Sequence, residues 1–182
     1  MDNFTNQNIT ASPVMVEFAT IANKYDTTPV PQRKTLDAFV QSLCKPRIRA
    51  SKDGAGFIPA TFKPGGERND NDVVAVTMLV LDFDTGKIGM DEAMGLVKGY
   101  LAVAHTSFSH SEACAKFRLI IFLIEPIPEH LFHAVWTAFI RLFPAETVDT
   151  SCSNPSRFYY LPACPMERGR LFEFRIQKGG AE

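Results

Sequence analysis

Two aspartates at the end of an apolar segment are the residues best placed for chemistry. Val73–Asp84 (VVAVTMLVLDFD) is predicted to be a buried strand that ends at Thr85-Gly86. Because strand side chains alternate, Asp82 and Asp84 project from one face, where their charges repel each other. A divalent cation held by carboxylate oxygens would relieve that repulsion. The alternative interpretation is that both residues only cap the strand and bind the following turn.

A third carboxylate, Asp149, lies where the strand after the second predicted helix of this region should begin. If that strand lies beside the one that carries Asp82, the three acids converge. Three carboxylates that hold two ions about 3.5–4 Å apart form the two-metal arrangement used for phosphoryl transfer. Taken alone, Asp149 is more typical of a loop or a cap.

Donor groups cluster at the ends of the neighbouring segments. Thr106–Ser111 (TSFSHS) supplies four hydroxyl groups and the imidazole of His110, which suit anionic oxygens. Arg118 begins the next predicted strand, so a short loop can bring it near His110. Arg157 lies in NPSRFYYL, among aromatic side chains on which bases or sugars can stack. Each group taken alone is also typical of a solvated turn or an ordinary surface.

The elements that must position these residues follow the pattern β-α-β-β-α-β from Val73 onward. This order is typical of a ferredoxin-like or RNA-recognition-like split unit. The predicted segments are the strand Val73–Asp84, the helix Met90–Leu101, the strands Ala102–Phe108 and Phe117–Ile124, a helix from about Pro128 to Phe143, and the strands Arg157–Leu161 and Leu171–Ile176.

The first third of the chain is predicted to form a smaller α/β lobe packed on the same core. It contains the strand Val14–Ala22 and the amphipathic helix Arg33–Cys44, whereas residues 23–32 and Phe57–Arg68 are predicted to be irregular. We therefore expect one α/β (α+β) domain over residues 1–182. Its parts are an N-terminal lobe (1–72), a catalytic split unit (73–176) and a tail (177–182).

Composition excludes several classes of protein. Hydrophobic residues at 46% and charged residues at 21% exclude wholesale disorder, and a net charge of −1 excludes a uniformly basic coat protein, though not a local basic groove. The start MDNFTNQNITASP lacks the features of a secretory signal, and no apolar run could span a membrane. We expect a cytoplasmic protein of a bacterial, archaeal or phage-infected cell, with reduced cysteines.

Zinc is not expected. The cysteines Cys152 and Cys164 are far apart, and His130 and His133 share a predicted helix with no CxxC pair to support them.

Together these motifs resemble the archaeo-eukaryotic primase superfamily, most closely the small primase-polymerase domains of phage and plasmid replication proteins. That family carries an acidic hhhDhD strand end, then an S-x-H motif, then an hD motif. The corresponding segments here are Leu79–Asp84 (LVLDFD), Ser107–His110 (SFSH) and Val148-Asp149. Phe108 occupies the family's serine position, so either Ser107 or Ser109 would take its role. The resemblance extends from about Val14 to Ile176.

The resemblance implies synthesis of DNA primers by two-metal phosphoryl transfer on a single-stranded DNA template, with NTPs or dNTPs as substrates. Asp82, Asp84 and Asp149 would hold two Mg²⁺ or Mn²⁺ ions. The nucleotide would be bound by Ser107, Ser109, His110, Arg118, Arg157 and Lys52. The template would follow Lys45, Arg47, Arg49, Arg68 and Arg170. A replicative helicase is left open as a further partner.

Two functions of other classes fit part of the same pattern. One is a DNA-binding initiator module of a replication protein with a degenerate catalytic centre. The other is an aspartyl phosphatase, because LVLDFDTG also resembles the hydrolase pattern hhhhDxDxT, in which Asp82 would be the nucleophile and Asp84 the acid/base. The phosphatase ranks below the primase, since about eighty residues precede the DxD strand and no later Lys-then-Asp-Asp pattern follows.

Overall fold

A computed structural model describes residues 12–180. Residues 1–11, which form most of the segment predicted not to be a secretory signal, and the last two residues of the tail lie outside the described part. The strands are β1 (Met15–Ile21), β2 (Val30–Thr35), β3 (Arg47–Ile48), β4 (Gly56–Ile58), β5 (Ala60–Phe62), β6 (Val73–Phe83), β7 (Ala102–Thr106), β8 (Phe117–Pro128), β9 (Tyr159–Tyr160), β10 (Ala163–Cys164) and β11 (Phe174–Gln177). The α-helices are α1 (Leu36–Leu43), α2 (Met90–Leu96) and α3 (Glu129–Ile140), with 3₁₀ turns at Asp70–Asp72, Thr150–Cys152 and Met166–Leu171.

The strands form two main sheets and one short ribbon. The larger sheet has the order β11-β7-β8-β6-β5, and all its neighbouring strands are antiparallel. The second sheet, of order β2-β1-β4-β9, is also antiparallel and belongs mostly to the N-terminal lobe. The parallel ribbon pairs β3 with β10 and so joins the lobe to the C-terminal segment.

Alternate side chains of β6 enter two different cores. Leu79 and Leu81 face the helices α2 and α3, where Trp136 is also buried. Met78 and Val80 face the N-terminal lobe and pack in the cluster that contains Phe39 of α1. Burying an aliphatic side chain of this size contributes roughly 1.5–3 kcal/mol, so both faces of β6 stabilise the domain. Asp82 continues the row of Met78 and Val80, on the face of the sheet that is turned toward the lobe.

The strand order differs from the expected split unit at one edge. The strand expected to follow the second helix and to lie beside β6, Arg157–Leu161, is β9, which pairs with β4 of the second sheet. The closing strand β11 pairs with β7 at the edge of the larger sheet opposite β5. The position beside β6 is already occupied, because β5 of the lobe pairs with its first half. Along its second half, the backbone N–H of Asp149 donates to the carbonyl oxygen of Asp82 at 2.9 Å. Asp149 therefore lies beside β6 as predicted, although its segment is not a strand.

The N-terminal lobe contains more strands than the sequence predicted. Residues 30–35, partly assigned to a loop and partly to a helix, form β2, and α1 begins only at Leu36 because Thr35 caps it: its hydroxyl accepts from the N–H of Ala38 at 3.2 Å. The segment predicted to be irregular after Gly56 holds β4 and β5. Such short strands acquire their hydrogen bonds from distant partners, so no local pattern reveals them. The α/β (α+β) class, with the N-terminal lobe packed on the unit that begins at Val73, is confirmed.

The length and hydrophobicity of the helices bear on whether any of them could cross a membrane. Among residues 12–180, no helix has the length and the hydrophobicity that crossing a bilayer requires.

Candidate active site

A cleft of about 200 Å³ opens where β6 and β7 end and β8 begins. All but two of the residues nominated for metal or nucleotide binding meet there: the cleft is lined by Lys52, Asp82, Asp84, Ser107, Ser109, Arg118 and Asp149. Side chains not nominated from the sequence complete it, chiefly His105, Thr106, Lys116 and Tyr160. Carboxylates and cationic or hydroxyl donors therefore share one concave surface.

The floor of the cleft is a row of three polar residues on adjacent strands. Asp82 of β6 lies opposite Arg118 of β8, and Arg118 lies opposite His105 of β7. Each of these residues continues an apolar row that packs against the N-terminal lobe, for example Val103 before His105 and Ile120 after Arg118. The row becomes polar toward the strand ends that border the cleft, so the same alternation that builds the core also aims these side chains at the cleft.

Arg118 and Asp82 form a two-pronged ion pair. The Nε of Arg118 donates to Oδ1 of Asp82 at 2.7 Å and its Nη2 to Oδ2 at 3.2 Å, while Nη1 donates to the carbonyl oxygen of Tyr160 at 2.9 Å. The guanidinium also lies 4.8 Å from the ring centroid of Tyr159. Burial by itself lowers the pKa of Arg118, but the Asp82 carboxylate outweighs it and raises that pKa above its ordinary value. Arg118 is therefore a permanent cation at the floor of the cleft.

Asp149 reaches the cleft from the irregular segment beside β6. Its carboxylate accepts from the N–H and the hydroxyl of Ser151, at 2.9 and 3.0 Å. Burial by itself raises the pKa of Asp149, but these hydrogen bonds, with that from Cys152 and the charge of Arg157, lower it overall. Asp149 is thus ionised, and it has the local capping role that the sequence left open as an alternative.

The Cys152 thiol lies between two of the carboxylates. Its sulfur is 3.4 Å from Oδ2 of Asp149 and 3.7 Å from Oδ2 of Asp82. Burial and the neighbouring Asp82 raise the pKa of the thiol to about 12, so it stays protonated and can donate. The carboxylates of Asp82 and Asp149, from different chain segments, are therefore close together on either side of the Cys152 thiol.

The three carboxylates offer the hard oxygen ligands that Mg²⁺ and Mn²⁺ prefer. In the part of the chain that the structure describes, however, no three His, Cys, Asp or Glu side chains are grouped so that they could hold a metal ion. Asp82 is bonded to Arg118, Asp149 to Ser151, and Asp84 is exposed beyond the end of β6. The donor set fits a divalent cation, but side-chain rotation is needed to assemble it.

His105 is a buried imidazole that sequence analysis did not nominate. Its side chain is almost completely buried, and its Nδ1 lies 3.0 Å from the carbonyl oxygen of Thr106. Because a carbonyl only accepts, Nδ1 carries the proton and Nε2 is a bare acceptor, for which the described residues provide no partner. Burial and the nearby Arg118 lower the pKa of His105 to about 4. A histidine placed just before a run of hydroxyl residues was the signal that could have identified it.

His110 lies beside the cleft but does not line it. The N–H of Lys116 donates to its Nδ1 at 3.2 Å, and Arg168 donates to its carbonyl oxygen at 3.1 Å. Burial, more than any other cause, lowers the pKa of His110. By accepting from Lys116, His110 joins the two ends of the loop that carries Ser107 and Ser109. Its contact with a nucleotide stays a prediction.

The basic residues nominated from the sequence are distributed over several surfaces. Lys52 lines the cleft from a loop that is held by a hydrogen bond from Arg49 to the carbonyl oxygen of Asp53 at 2.8 Å. Arg47 lies on β3, opposite Ala163 of the ribbon, and Arg170 forms an exposed ion pair with Glu112. Lys45 is exposed before β3. Arg68 and Arg157 lie together in a separate depression.

Two of three comparisons with known proteins gave a match. The family model of the VapE N-terminal domain matches residues 5–178. Among solved structures, the archaeo-eukaryotic primase (AEP) domain of the cyanophage S-2L primase-polymerase is similar, with a TM-score of 0.49 and 17% identity over 93% of this chain and 84% of that chain. Comparison with curated proteins gave no match. Because the family model spans nearly all of the sequence, the chain belongs to the VapE N-terminal domain family.

Proposed function

We propose that this chain is a DNA-templated nucleotidyltransferase, a primase or primase-polymerase that joins nucleotides in the cleft. The observation that supports this function best is that Asp82, Asp84 and Asp149 line one cleft together with lysine, arginine and hydroxyl side chains. The carboxylates suit divalent metal ions, and the cationic and hydroxyl donors suit the phosphate oxygens of a nucleotide.

In the proposed reaction, a 3′-hydroxyl oxygen attacks the α-phosphorus of a nucleoside triphosphate. The bond from that phosphorus to the oxygen bridging to the β-phosphate breaks, pyrophosphate leaves, and the hydroxyl proton is released to solvent. Bound Mg²⁺ or Mn²⁺ would favour the ionised hydroxyl and neutralise the leaving pyrophosphate. Asp82, Asp84 and Asp149 would provide the oxygen ligands.

Arg118 has a role in this scheme that follows from its bonds to Asp82. Both Asp82 oxygens accept from the guanidinium, so a cation must compete for at least one of them. The competition would free one N–H of Arg118 beside the bound nucleotide, where a fixed guanidinium can bind phosphate oxygens. Lys52, Ser107, Ser109 and Lys116 line the same cleft and would bind the remaining phosphate oxygens.

The template would approach from the basic residues around the ribbon of β3 and β10. Arg47 is part of β3, Lys45 precedes this strand and Arg49 follows it, and Arg170 lies on the 3₁₀ turn that follows β10. Several lysine and arginine side chains near one ribbon suit the repeated phosphates of a single strand.

Template-dependent incorporation of labelled NTPs or dNTPs with Mn²⁺ tests the function. Asp82→Asn, Asp84→Asn and Asp149→Asn should each lower the rate by orders of magnitude. Asp91→Asn, on the surface of α2, is the matched control and should retain the wild-type rate. Labelled products made at wild-type rates by a folded Asp82→Asn variant would contradict the proposed site.

One observation favours a second candidate, a DNA-binding replication module without catalysis. Both oxygens of Asp82 are occupied by Arg118, and Asp149 caps its own turn, so the acids are satisfied without metal. Binding of single-stranded DNA with no incorporation under any metal or nucleotide condition would favour this candidate. Hydrolysis of a phosphomonoester in the same assays would favour the phosphatase instead.

A further inference from the structure

A second depression lies beside the cleft, at the seam between the N-terminal lobe and the catalytic unit. It is lined by Arg68 from the segment before β6 and by Asn154, Ser156, Arg157 and Phe158 from the segment before β9. We call it the arginine depression. Two guanidinium groups, an amide, a hydroxyl and an aromatic ring face it, and none of these lining residues is an acid. This composition differs from that of the cleft, where three carboxylates are among the lining residues.

Arg68 is held in place by the lobe. Its backbone N–H donates to the carbonyl oxygen of Thr27 at 2.9 Å, and its Nη2 donates to that of Lys24 at 2.8 Å. The guanidinium lies 6.0 Å from the ring centroid of Phe158, and its Nε is buried with no hydrogen-bond partner among the described residues. The lobe thus fixes a cation at this position without neutralising it through an ion pair.

Arg157 meets Arg68 from the other side of the seam. A turn positions it, because its N–H donates to the carbonyl oxygen of Asn154 at 3.2 Å. Ser156 anchors the turn by donating from its N–H to Asp70 at 3.1 Å. The guanidinium of Arg157 makes no hydrogen bond or ion pair with any residue between 12 and 180, although its charge lowers the pKa of the neighbouring Asp149. Its donors are therefore available to a ligand.

The chemistry of the depression favours a singly charged phosphate over a metal-bound triphosphate. Two unpaired guanidinium groups can bind phosphate oxygens in a forked geometry, and they neutralise a phosphodiester without any metal. The partly buried ring of Phe158 lines the same depression, so the adjoining base can contact it there. The proximity of Arg157 to Asp149 places this phosphate next to the cleft but outside it.

We propose that the arginine depression binds a backbone phosphate of single-stranded DNA and so guides the strand into the cleft. This inference rests on the proposed function, because the strand would be the template or primer of the reaction there. It assigns Arg157 to the nucleic acid and not to the triphosphate that the motif analysis suggested.

The test is binding of a short fluorescein-labelled oligothymidylate, measured by anisotropy in EDTA without nucleotide. Arg157→Ala should weaken binding by about tenfold, the effect of one lost charge-assisted contact. It should also reduce the steepness of the salt dependence by about 0.7 for the one phosphate no longer neutralised. Arg157→Lys keeps the charge, so it should retain the salt dependence while losing part of the affinity.

The matched control is Arg141→Ala, which removes an equal charge at the end of α3 and lines none of the depressions described above. Because Arg68 also supports the lobe, the Arg68→Ala variant is informative only if its circular dichroism spectrum is unchanged. The test is decided by Arg157→Ala and does not depend on Arg68→Ala. Unchanged oligonucleotide binding in Arg157→Ala, together with weakened binding of the nucleotide in Mn²⁺, would overturn the inference and return Arg157 to the triphosphate. That result would leave the proposed function standing, whereas failure of the Asp82, Asp84 and Asp149 variants to affect synthesis would overturn the function and not this site.

Discussion

The cleft and the arginine depression hold their cations in opposite ways. In the cleft, the Arg118 side chain is only 11% exposed and all three of its nitrogens donate, to Asp82 and to the Tyr160 carbonyl. In the arginine depression, Arg157 makes no such bond within the described chain, and Arg68 is bonded only to a backbone carbonyl. The Arg118–Asp82 pair in the cleft therefore stabilises the fold until a ligand competes for it. The guanidinium of Arg157 in the depression can bind a ligand without first breaking a bond within the protein.

The largest expected difference concerns the stability of the Arg118–Asp82 pair. Arg118→Met should lower the free energy of unfolding by about 3–5 kcal/mol, because it leaves the mostly buried Asp82 carboxylate without its partner. Urea titration followed by circular dichroism measures the change. Arg170→Ala is the matched control: it breaks the ion pair with Glu112, whose members are mostly exposed, and should cost no more than about 1 kcal/mol.

This pairing also corrects the expectation that Asp82 and Asp84 chiefly repel each other. Because Arg118 neutralises Asp82, removing Asp82 should destabilise the domain, whereas removing Asp84 should not. Equal stability of Arg118→Met and Arg170→Ala would show that the cleft pair is no more structural than a surface pair.

A somewhat smaller effect is expected from His105 as the pH falls. Its pKa is about 4 in the folded chain and near 6.5 when unfolded, because burial and then Arg118 disfavour the charged ring. The unfolded chain therefore binds the proton more readily, so the stability due to neutral His105 is complete above about pH 6.5 and is lost as pH falls toward about 4. The full loss amounts to about 3 kcal/mol.

His105→Gln should remove this part of the pH dependence when urea midpoints at about pH 7 and about pH 4.5 are compared with those of the wild type. His130→Gln, on the exposed surface of α3, should leave the wild-type pH dependence intact. Parallel curves for His105→Gln and the wild type would mean that His105 is already protonated or accessible in the folded chain.

The smallest expected change in stability is at Asp149, where two substitutions separate capping from metal binding. Asp149→Ala removes the acceptor for Ser151 and should cost about 1 kcal/mol, whereas Asp149→Asn keeps a good cap and should cost almost nothing. Both should weaken Mn²⁺ binding in the absence of nucleotide, measured by electron paramagnetic resonance. If Asp149→Asn binds Mn²⁺ with wild-type affinity, Asp149 only caps its turn and is not a metal ligand.

The elements of the catalytic unit were predictable because each depends on a local pattern. The apolar run of β6, the DxD spacing at its end and the helix after β8 need only neighbouring residues to be recognised, and all are observed. The lobe strands β2, β4 and β5 and the position of β11 were not predictable in this way. Their hydrogen bonds come from β1, β6 and β7, so their existence depends on which edges other segments leave open.

By itself the sequence determined that two aspartates close the long apolar strand β6 and that hydroxyl donors follow the next strand, because both features are local patterns of residues. Only the tertiary structure decided what those residues contact. The antiparallel register of β6, β8 and β7 places Arg118 between Asp82 and His105. Asp82 is therefore already neutralised, and Nε2 of His105 has no hydrogen-bond partner among the described residues. Packing of the lobe on the catalytic unit likewise brings Arg68 to Arg157, since contacts between residues so far apart in the chain are set by how distant surfaces fit together and not by local spacing.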